Sequence, residues 1–268
     1  MDRDLYFGRP QAAEATRRAW ALWRLVHDDP RFGFNGRLVN SVGGGEAAAE
    51  RLLALAGIQS VGAGHYIPVE EVDGLAETVR ESGVVTTRYE HLRGDLTAVK
   101  SARNHLAECS LPDDLTVRIA DASTSDATLH EIASVQIDCG VLPISGSTMR
   151  GVARPGVTVY AVDADGKVAA AAGSVVYNHP KGPHATDAFW GFLATRKDRR
   201  GQGLAAALGA QAMVEAADRF GMTGFVTGVR AENEASNALC AKLGVVPSGW
   251  AFLACVDEAR FGAARATS

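Results

Sequence analysis

The sequence has few cysteines, and their spacing excludes two classes of protein. Cys109, Cys139, Cys240 and Cys255 are widely separated among 268 residues, so no pair has the spacing of a zinc-binding motif. Four thiols are also too few for the framework of a disulfide-rich fold. We therefore expect reduced thiols, a cytoplasmic protein and no bound metal.

Long apolar runs and basic runs are also missing. No stretch reaches the roughly 18 apolar residues of a membrane span, and no apolar run follows the charged start Met1–Asp4, so neither a span nor a signal peptide is predicted. Lys and Arg number 27 against 31 Asp and Glu, which gives a net charge of −4 and does not indicate a nucleic-acid surface. With 47% hydrophobic and 22% charged residues, the composition is that of a folded protein.

A linker is predicted at residues 110–114, where Pro112 and the acidic pair Asp113 and Asp114 separate a helix from a strand. We expect residues 1–112 to form an N-terminal α/β domain and residues 113–268 a second domain. Periodicity in the first part predicts helices over 11–27, 46–56, 69–82 and 96–108 and strands over 37–42 and 84–89.

The second part shows stronger signals. Ser123 or Ser125 is expected to cap a helix that ends near Cys139, and Gly221 to terminate the helix that begins at Gly203. A further helix is predicted over 235–243. Strands are predicted over 115–120, 157–162, 168–177, 188–195 and 224–230, with closing strands in 245–257. The fold class is therefore mixed α/β.

A short basic turn with two glycines joins the strand ending at Thr195 to the helix starting near Leu204. A helix N-terminus presents unpaired N–H groups and a partial positive charge, glycine lets an anion approach the backbone, and Arg199 and Arg200 add charge. These features predict a pyrophosphate cradle. The alternative is an ordinary strand–turn–helix with a solvated basic turn. The turn is neither a P-loop, which needs Gly-Lys-Ser/Thr, nor a dinucleotide fingerprint, which needs a third glycine.

Two motifs at matching separation resemble those of the GNAT superfamily of N-acyltransferases. Arg200-Gly-Gln-Gly-Leu-Ala205 fits the family's loop, Arg/Gln-x-x-Gly-x-Gly/Ala, and residues 233–245 follow its Asn-x-x-Ala/Ser-x-x-Leu-Tyr-x-x-x-Gly-Phe pattern. The resemblance covers about residues 115–260. It implies a mostly antiparallel, splayed sheet flanked by helices, to which residues 1–112 add a smaller α/β unit or a degenerate copy.

The resemblance also implies that acetyl-coenzyme A is the co-substrate and that no metal is needed. The strand end would pair with the pantetheine arm, and a backbone N–H of Leu193 or Ala194 would meet the oxyanion. Asn233 could instead be a plain helix cap and Asn237 a solvated residue. The implied coenzyme-binding residues are Leu193, Ala194, Thr195, Arg199, Arg200, Gly201, Gln202, Gly203, Leu204, Ala205, Asn233, Ser236 and Asn237.

The catalytic residues are less defined. Cys240 stands where the family often has the Tyr that is proposed to protonate the leaving thiolate, so it is either that acid or an inert packing residue. Asp187, His184 and Glu131 are candidates for the base that deprotonates the amine, although His184 could be a plain surface histidine.

These observations lead to three functional hypotheses. The first is an enzyme that moves an acetyl group from acetyl-coenzyme A to an amine on a small molecule or peptide. The second is a degenerate sensor that binds acyl-coenzyme A without turnover, and the third is a loop for another phosphate ligand. The polar loop 141–156 is expected to shape the acceptor pocket. Residues 1–112 could cap that pocket, form a homodimer contact or repeat the fold, with Gly43–Glu46 as a second cofactor loop or a flexible turn.

Overall fold

Local sequence signals set several helix boundaries. Ser125 Oγ accepts a hydrogen bond from the Thr128 N–H at 3.1 Å, and Asp95 accepts one from the Thr97 N–H at 2.7 Å, so both residues cap the helices that follow them. Gly221 ends its helix in the left-handed conformation. The computed structural model describes residues 4–261. Residues 1–3, on which the signal-peptide prediction partly depends, and residues 262–268 lie outside the described range.

The described chain alternates between helices and strands. Its strands are β1 (Phe32–Phe34), β2 (Val39–Val42), β3 (Val61–Pro68), β4 (Val85–Gly94), β5 (Thr116–Ile119), β6 (Gly156–Val162), β7 (Val168–Val176), β8 (Asp187–Thr195), β9 (Gly224–Val229) and β10 (Val246–Val256). Its helices are α1 (Pro10–Val26), α2 (Ala48–Gln59), α3 (Val72–Arg80), α4 (Leu96–Glu108), α5 (Asp126–Asp138), α6 (Gly146–Met149), α7 (Leu204–Phe220), α8 (Glu234–Lys242) and α9 (Glu258–Phe261).

All the strands of the described chain join one open sheet in the order β1-β2-β3-β10-β4-β9-β8-β7-β6-β5. Only β2–β3 and β8–β9 are parallel pairs within it. The mostly antiparallel, mixed sheet with flanking helices confirms the predicted fold class. No helix in residues 4–261 combines the length and the apolar character that crossing a membrane requires.

The two parts of the chain are joined within the sheet. Strand β10, from the C-terminal part, lies between β3 and β4, which belong to residues 1–112. The predicted linker at 110–114 connects α4 to β5 and carries no strand. Strands from both sides of the predicted linker therefore belong to one sheet. The division of the chain into two domains at residue 112 stays a prediction.

The order of the strands repeats on either side of the β10–β4 pair. One side continues through β3, β2 and β1, and the other through β9, β8 and β7. Each side has an antiparallel pair, then a parallel pair joined through a helix (α2 or α7), then another antiparallel pair. This is the arrangement that a second, partial copy of one core would produce.

The main difference from the sequence prediction is β3, which was not predicted. Its sequence, Val-Gly-Ala-Gly-His-Tyr-Ile-Pro, contains two glycines and a proline, which have low strand propensity. Pairing with both β2 and β10 supplies the stabilisation that the local sequence lacks. Strand β4 continues to Gly94, beyond the predicted end, and residues 246–256 form one long strand.

Small residues allow α7 to lie close to the sheet. Strand β7 contributes four consecutive buried alanines, 169–172, and α7 buries further alanines. Gly209 of α7 faces the Trp190 ring, and the Trp190 indole N–H donates to the Gly209 carbonyl at 2.8 Å. This hydrogen bond and the close packing fix α7 against β8, so the start of the helix lies beside the end of that strand.

Candidate functional site

Strands β8 and β9 pair over a short distance and then separate. Their Cα register comprises Asp187 with Gly224, Ala188 with Phe225 and Phe189 with Val226, whereas β8 continues to Thr195. The backbone edge of β8 beyond Phe189 therefore has no β9 partner. An extended amide-containing ligand can add to such an edge as a further strand.

A bulge in β8 lies at the opening. The register between β7 and β8 shifts between Ala171 and Gly173, and Phe192 on the opposite strand has φ 55°, a conformation that a bulky residue adopts only under strain. The Gln136 side chain of α5 holds the Phe192 carbonyl with a hydrogen bond of 3.1 Å. The buried Gln136 side chain therefore holds Phe192 in a strained backbone conformation, and such strain is often found at functional sites.

The loop before α7 presents a continuous set of unused donors. Gly201 and Gly203 have φ of 78° and 75°, and a Cβ on either would meet no atom within 4 Å. Among the described residues, none accepts a hydrogen bond from the N–H groups of residues 201–206. Open space above bare, positively polarised amides is the environment that a pyrophosphate requires, so these residues fit the phosphates of coenzyme A.

The arginines of the loop differ in their contacts. Arg199 forms an ion pair with Asp114, so part of its charge is already neutralised. Arg200 is exposed and donates from Nε to the Thr195 carbonyl at 3.3 Å, which folds its guanidinium toward the end of β8. Arg200 is therefore the better placed of the two to meet a second phosphate.

The corresponding loop on the other side of the sheet is closed by the protein itself. The Gly45 N–H donates to Glu71 Oε2 at 2.9 Å, and a Cβ on Gly44 would lie 2.2 Å from the same oxygen. Arg51 also bonds the Gly44 carbonyl at 3.1 Å. A carboxylate of the chain thus occupies the place that an anionic ligand would take, which favours a structural turn over a second cofactor loop.

A cavity of about 230 Å³ extends from the opening between β8 and β9 toward the N-terminal part of the chain. On the C-terminal side it is lined by Phe192, Leu193 and Asn233, and on the N-terminal side by Arg37 and His65. Within residues 4–261, no aspartate or glutamate contributes to the wall. The described residues also contain no group of three or more His, Cys, Asp or Glu that could hold a metal.

His65 is the imidazole of this wall. It is buried, its Nδ1 has no hydrogen-bond partner in the described protein, and its ring lies 4.1 Å from Phe252 and 6.2 Å from Phe189, centroid to centroid. Burial, with His91 and Arg37 nearby, holds the pKa of His65 well below its usual 6.5. The ring is therefore neutral at physiological pH, with its Nδ1 lone pair or N–H free of any described partner.

Sequence reasoning missed both His65 and Arg37. His65 lies on the strand that was not predicted, beside Tyr66, whose φ of 55° marks a bulge opposite Phe252. The apolar run around His65 was the available signal, because a single imidazole within such a run is either a core residue or part of a site. Arg37 lies in the connection between β1 and β2.

The predicted coenzyme-binding residues of α8 and its cap differ in whether they line the cavity. Asn233 caps α8 by accepting from the Ser236 N–H at 3.1 Å, as its alternative reading predicted, and both residues also line the cavity. Asn237 donates to the carbonyls of Arg230 and Ala231, at 3.2 Å each, and does not line the cavity. Ala194 is buried and Leu204 packs in the core, so only their backbones are available to a ligand.

Cys240 lines the cavity but is buried in the hydrophobic core. Burial raises the pKa of its thiol to about 12, so the thiol keeps its proton at neutral pH. A group with this pKa is a weak acid, which favours a packing role over proton donation.

Asp187 and His184 belong to a buried polar cluster at the start of β8, outside the cavity wall. Arg93 holds the Asp187 carboxylate at 2.7 and 3.0 Å, and the Tyr66 hydroxyl donates to it at 3.1 Å. The His184 ring stacks on Tyr66 at 3.6 Å. Because Tyr66 follows His65 directly, this cluster anchors the bulge that sets the position of the His65 ring.

The cluster predicts that stability depends on pH. Burial lowers the pKa of His91, beside Asp187, His184 and Arg93, from 6.5 to about 4. Below pH 6.5 the unfolded chain binds a proton that the folded chain refuses, so the free energy of unfolding should fall between pH 6.5 and 4, by up to about 3 kcal/mol from this group. Urea unfolding at several pH values should show a smaller fall in His91→Gln. An equal fall in both proteins would contradict the assignment.

The strand pair that opens toward a bare helix N-terminus lies within a segment that matches a known family. Residues 135–245 match the family model described as Acetyltransferase (GNAT) family, and this segment is a GNAT acetyltransferase domain, which confirms the resemblance. The family transfers acetyl groups from acetyl-coenzyme A.

Two solved structures are similar to the chain in fold. A GCN5-related N-acetyltransferase from Kribbella flavida is 16% identical, with 91% of this chain and 95% of that one covered and a TM-score of 0.56. A GCN5-related N-acetyltransferase-like protein from Streptococcus suis 89/1591 is 18% identical, with 84% and 81% covered and a TM-score of 0.55. At these identities the likeness shows the fold alone. No curated protein sequence matches the chain.

Proposed function

We propose that the protein is an N-acetyltransferase that transfers the acetyl group of acetyl-coenzyme A to an amine on a small molecule or peptide. The observation that carries the proposal is the coincidence of two features. The separated edge of β8 ends at Thr195, and the unpaired N–H groups of residues 201–206 begin a few residues later. Together they match the two polar parts of coenzyme A, its amide-bearing arm and its pyrophosphate.

In this proposal each part of the loop has its own role. The backbone of Leu193 to Thr195 pairs with the pantetheine arm, and the amides from Gly201 onward, with Arg200, bind the pyrophosphate. Asn233 and Ser236 lie on the opposite wall of the cavity and contact the arm from α8. A backbone N–H at the bulge, from Leu193 or Ala194, stabilises the oxyanion.

The reaction is direct attack on the thioester. The amine nitrogen forms a bond to the carbonyl carbon, the carbon–sulfur bond breaks, and coenzyme A leaves as its thiolate. The amine proton passes to a base, and water can supply the proton that the thiolate takes up. We assign the base to His65, because it is the neutral imidazole in a wall whose described residues include no carboxylate.

The earlier base candidates are less well placed for this role. Asp187 is engaged by Arg93 and Tyr66, and His184 is stacked on Tyr66. Glu131 accepts a hydrogen bond from the Val168 N–H at 3.0 Å, which turns its carboxylate toward β7. None of the three lines the cavity formed by the described residues.

The test combines binding with turnover. Coenzyme A should raise the melting temperature of the protein, whereas ATP and NAD should not, and stabilisation by all three would indicate a different phosphate ligand. Acetyl-coenzyme A should then release free thiol when it is mixed with a panel of amines. Tight binding without release with any amine would support the sensor and contradict the enzyme.

A further inference from the structure

Arg37 is a buried cation without an acidic partner. The residue is 9% exposed, and no described aspartate or glutamate acts on its charge. Among residues 4–261, its guanidinium makes one hydrogen bond, from Nη1 to the Leu142 carbonyl at 2.6 Å. The guanidinium carbon lies 5.0 Å from the ring centroid of Phe192 and 5.6 Å from that of Phe189. Four of the five N–H donors of the guanidinium therefore remain available.

This arrangement is costly without a ligand. Burial lowers the pKa of Arg37 to about 10, which shows that its surroundings disfavour the charge, although the group stays protonated at neutral pH. A buried charge is normally paired with an opposite one. Because the described wall of the cavity supplies no carboxylate, an anionic group of a bound ligand can serve as the partner.

Arg37 and His65 lie against the same aromatic ring. The guanidinium carbon of Arg37 and the ring of His65 are 5.6 and 6.2 Å from the centroid of Phe189. One small molecule in the cavity can therefore place an anionic group at Arg37 and an amine at His65. A guanidinium binds a carboxylate through two parallel hydrogen bonds, which also orients it.

We propose that the acceptor is a small amine that carries a carboxylate, and that Arg37 binds this carboxylate while the amine faces His65. The inference rests on the proposed function and defines the substrate class of the same site. A carboxylate could also come from the acyl group, as in a dicarboxylic acyl-coenzyme A. We assign it to the acceptor because Arg37 lies against the same Phe189 ring as His65, the residue that the amine would face.

The experiment compares carboxylate-bearing amines with matched neutral ones. Glycine, β-alanine and 4-aminobutyrate, and the carboxamide of each, are titrated by calorimetry into the full-length protein saturated with coenzyme A. At least one acid should bind about 10- to 100-fold more tightly than its amide. Arg37→Met should remove this difference by weakening the acid alone, and Arg37→Lys should restore part of it.

A matched control is available in Arg154. This residue is half-buried, its pKa is likewise lowered to about 10, and it bonds the Val176 carbonyl and packs on Trp23 at 4.9 Å. It does not line the cavity of the described residues. Arg154→Met should therefore lose a similar amount of packing and keep the preference for the acid.

Three results would overturn the inference. The first is that no acid of the panel binds more tightly than its amide. The second is an equal weakening of acid and amide in Arg37→Met, which would make Arg37 a structural residue. The third is Arg37-dependent use of succinyl- or malonyl-coenzyme A with the neutral amides, which would place the carboxylate on the acyl donor. If coenzyme A itself does not bind, the proposed acetyltransferase function is contradicted. Failure of the proposed function is thereby distinguished from failure of the inference about Arg37.

Discussion

Gly203→Glu is expected to weaken the binding of acetyl-coenzyme A by about 100-fold or more, or roughly 2.8 kcal/mol. The side chain would enter the open space above the amides of residues 201–206, and its carboxylate would itself accept their hydrogen bonds. It would also repel the phosphates. Isothermal titration calorimetry with acetyl-coenzyme A measures the effect directly.

The control for this variant is Gly83→Glu. Gly83 has φ of 80°, close to the 75° of Gly203, is exposed, and also has no atom within 4 Å of its Cβ position. It lies between α3 and β4, away from the loop. Both substitutions should therefore cost a similar 1–2 kcal/mol or so of backbone strain. If Gly203→Glu binds the coenzyme as well as Gly83→Glu does, the phosphate cradle has been assigned wrongly.

His65→Gln is expected to lower kcat by about 100-fold while the affinity for acetyl-coenzyme A stays unchanged. The loss should be largest for acceptors of high amine pKa, which depend most on a base, and should shrink for amines that are already neutral at the assay pH. In the parent protein the acid limb due to this residue should lie well below pH 6.5, because burial, His91 and Arg37 all depress the pKa of His65.

His91→Gln is the comparison for His65→Gln. His91 is also buried, on strand β4, where it bonds Ser248 at 2.8 Å, but it does not line the cavity of the described residues. Its replacement should change stability and leave kcat within a few-fold of the parent. Equal losses of kcat in both variants would show that His65 acts only through packing, and an unchanged kcat in His65→Gln would remove it from the mechanism.

The sequence predicted those parts of the candidate site whose residues are adjacent in the chain, and it missed parts that form by contacts between distant strands. The loop from Arg199 to Ala205 and the helix cap at Asn233 are formed by residues adjacent in the chain, so turn and capping preferences were sufficient to locate them. His184 and Asp187 were proposed from residue type and nearness to a strand. Only the side-chain contacts with Arg93 and Tyr66, from distant strands, showed that both belong to a structural cluster.

The sequence by itself determined the glycine-containing basic turn, the strand before it, the helix after it and the resemblance to an acyltransferase, because these depend on short-range backbone geometry. The tertiary structure decided which residues line the cavity. That outcome depends on β10 pairing between β3 and β4, with partners more than 150 residues apart in the sequence, and on a bulge at Tyr66 that sets the orientation of His65. Such pairings are stabilised by the assembled sheet and leave little trace in any single segment.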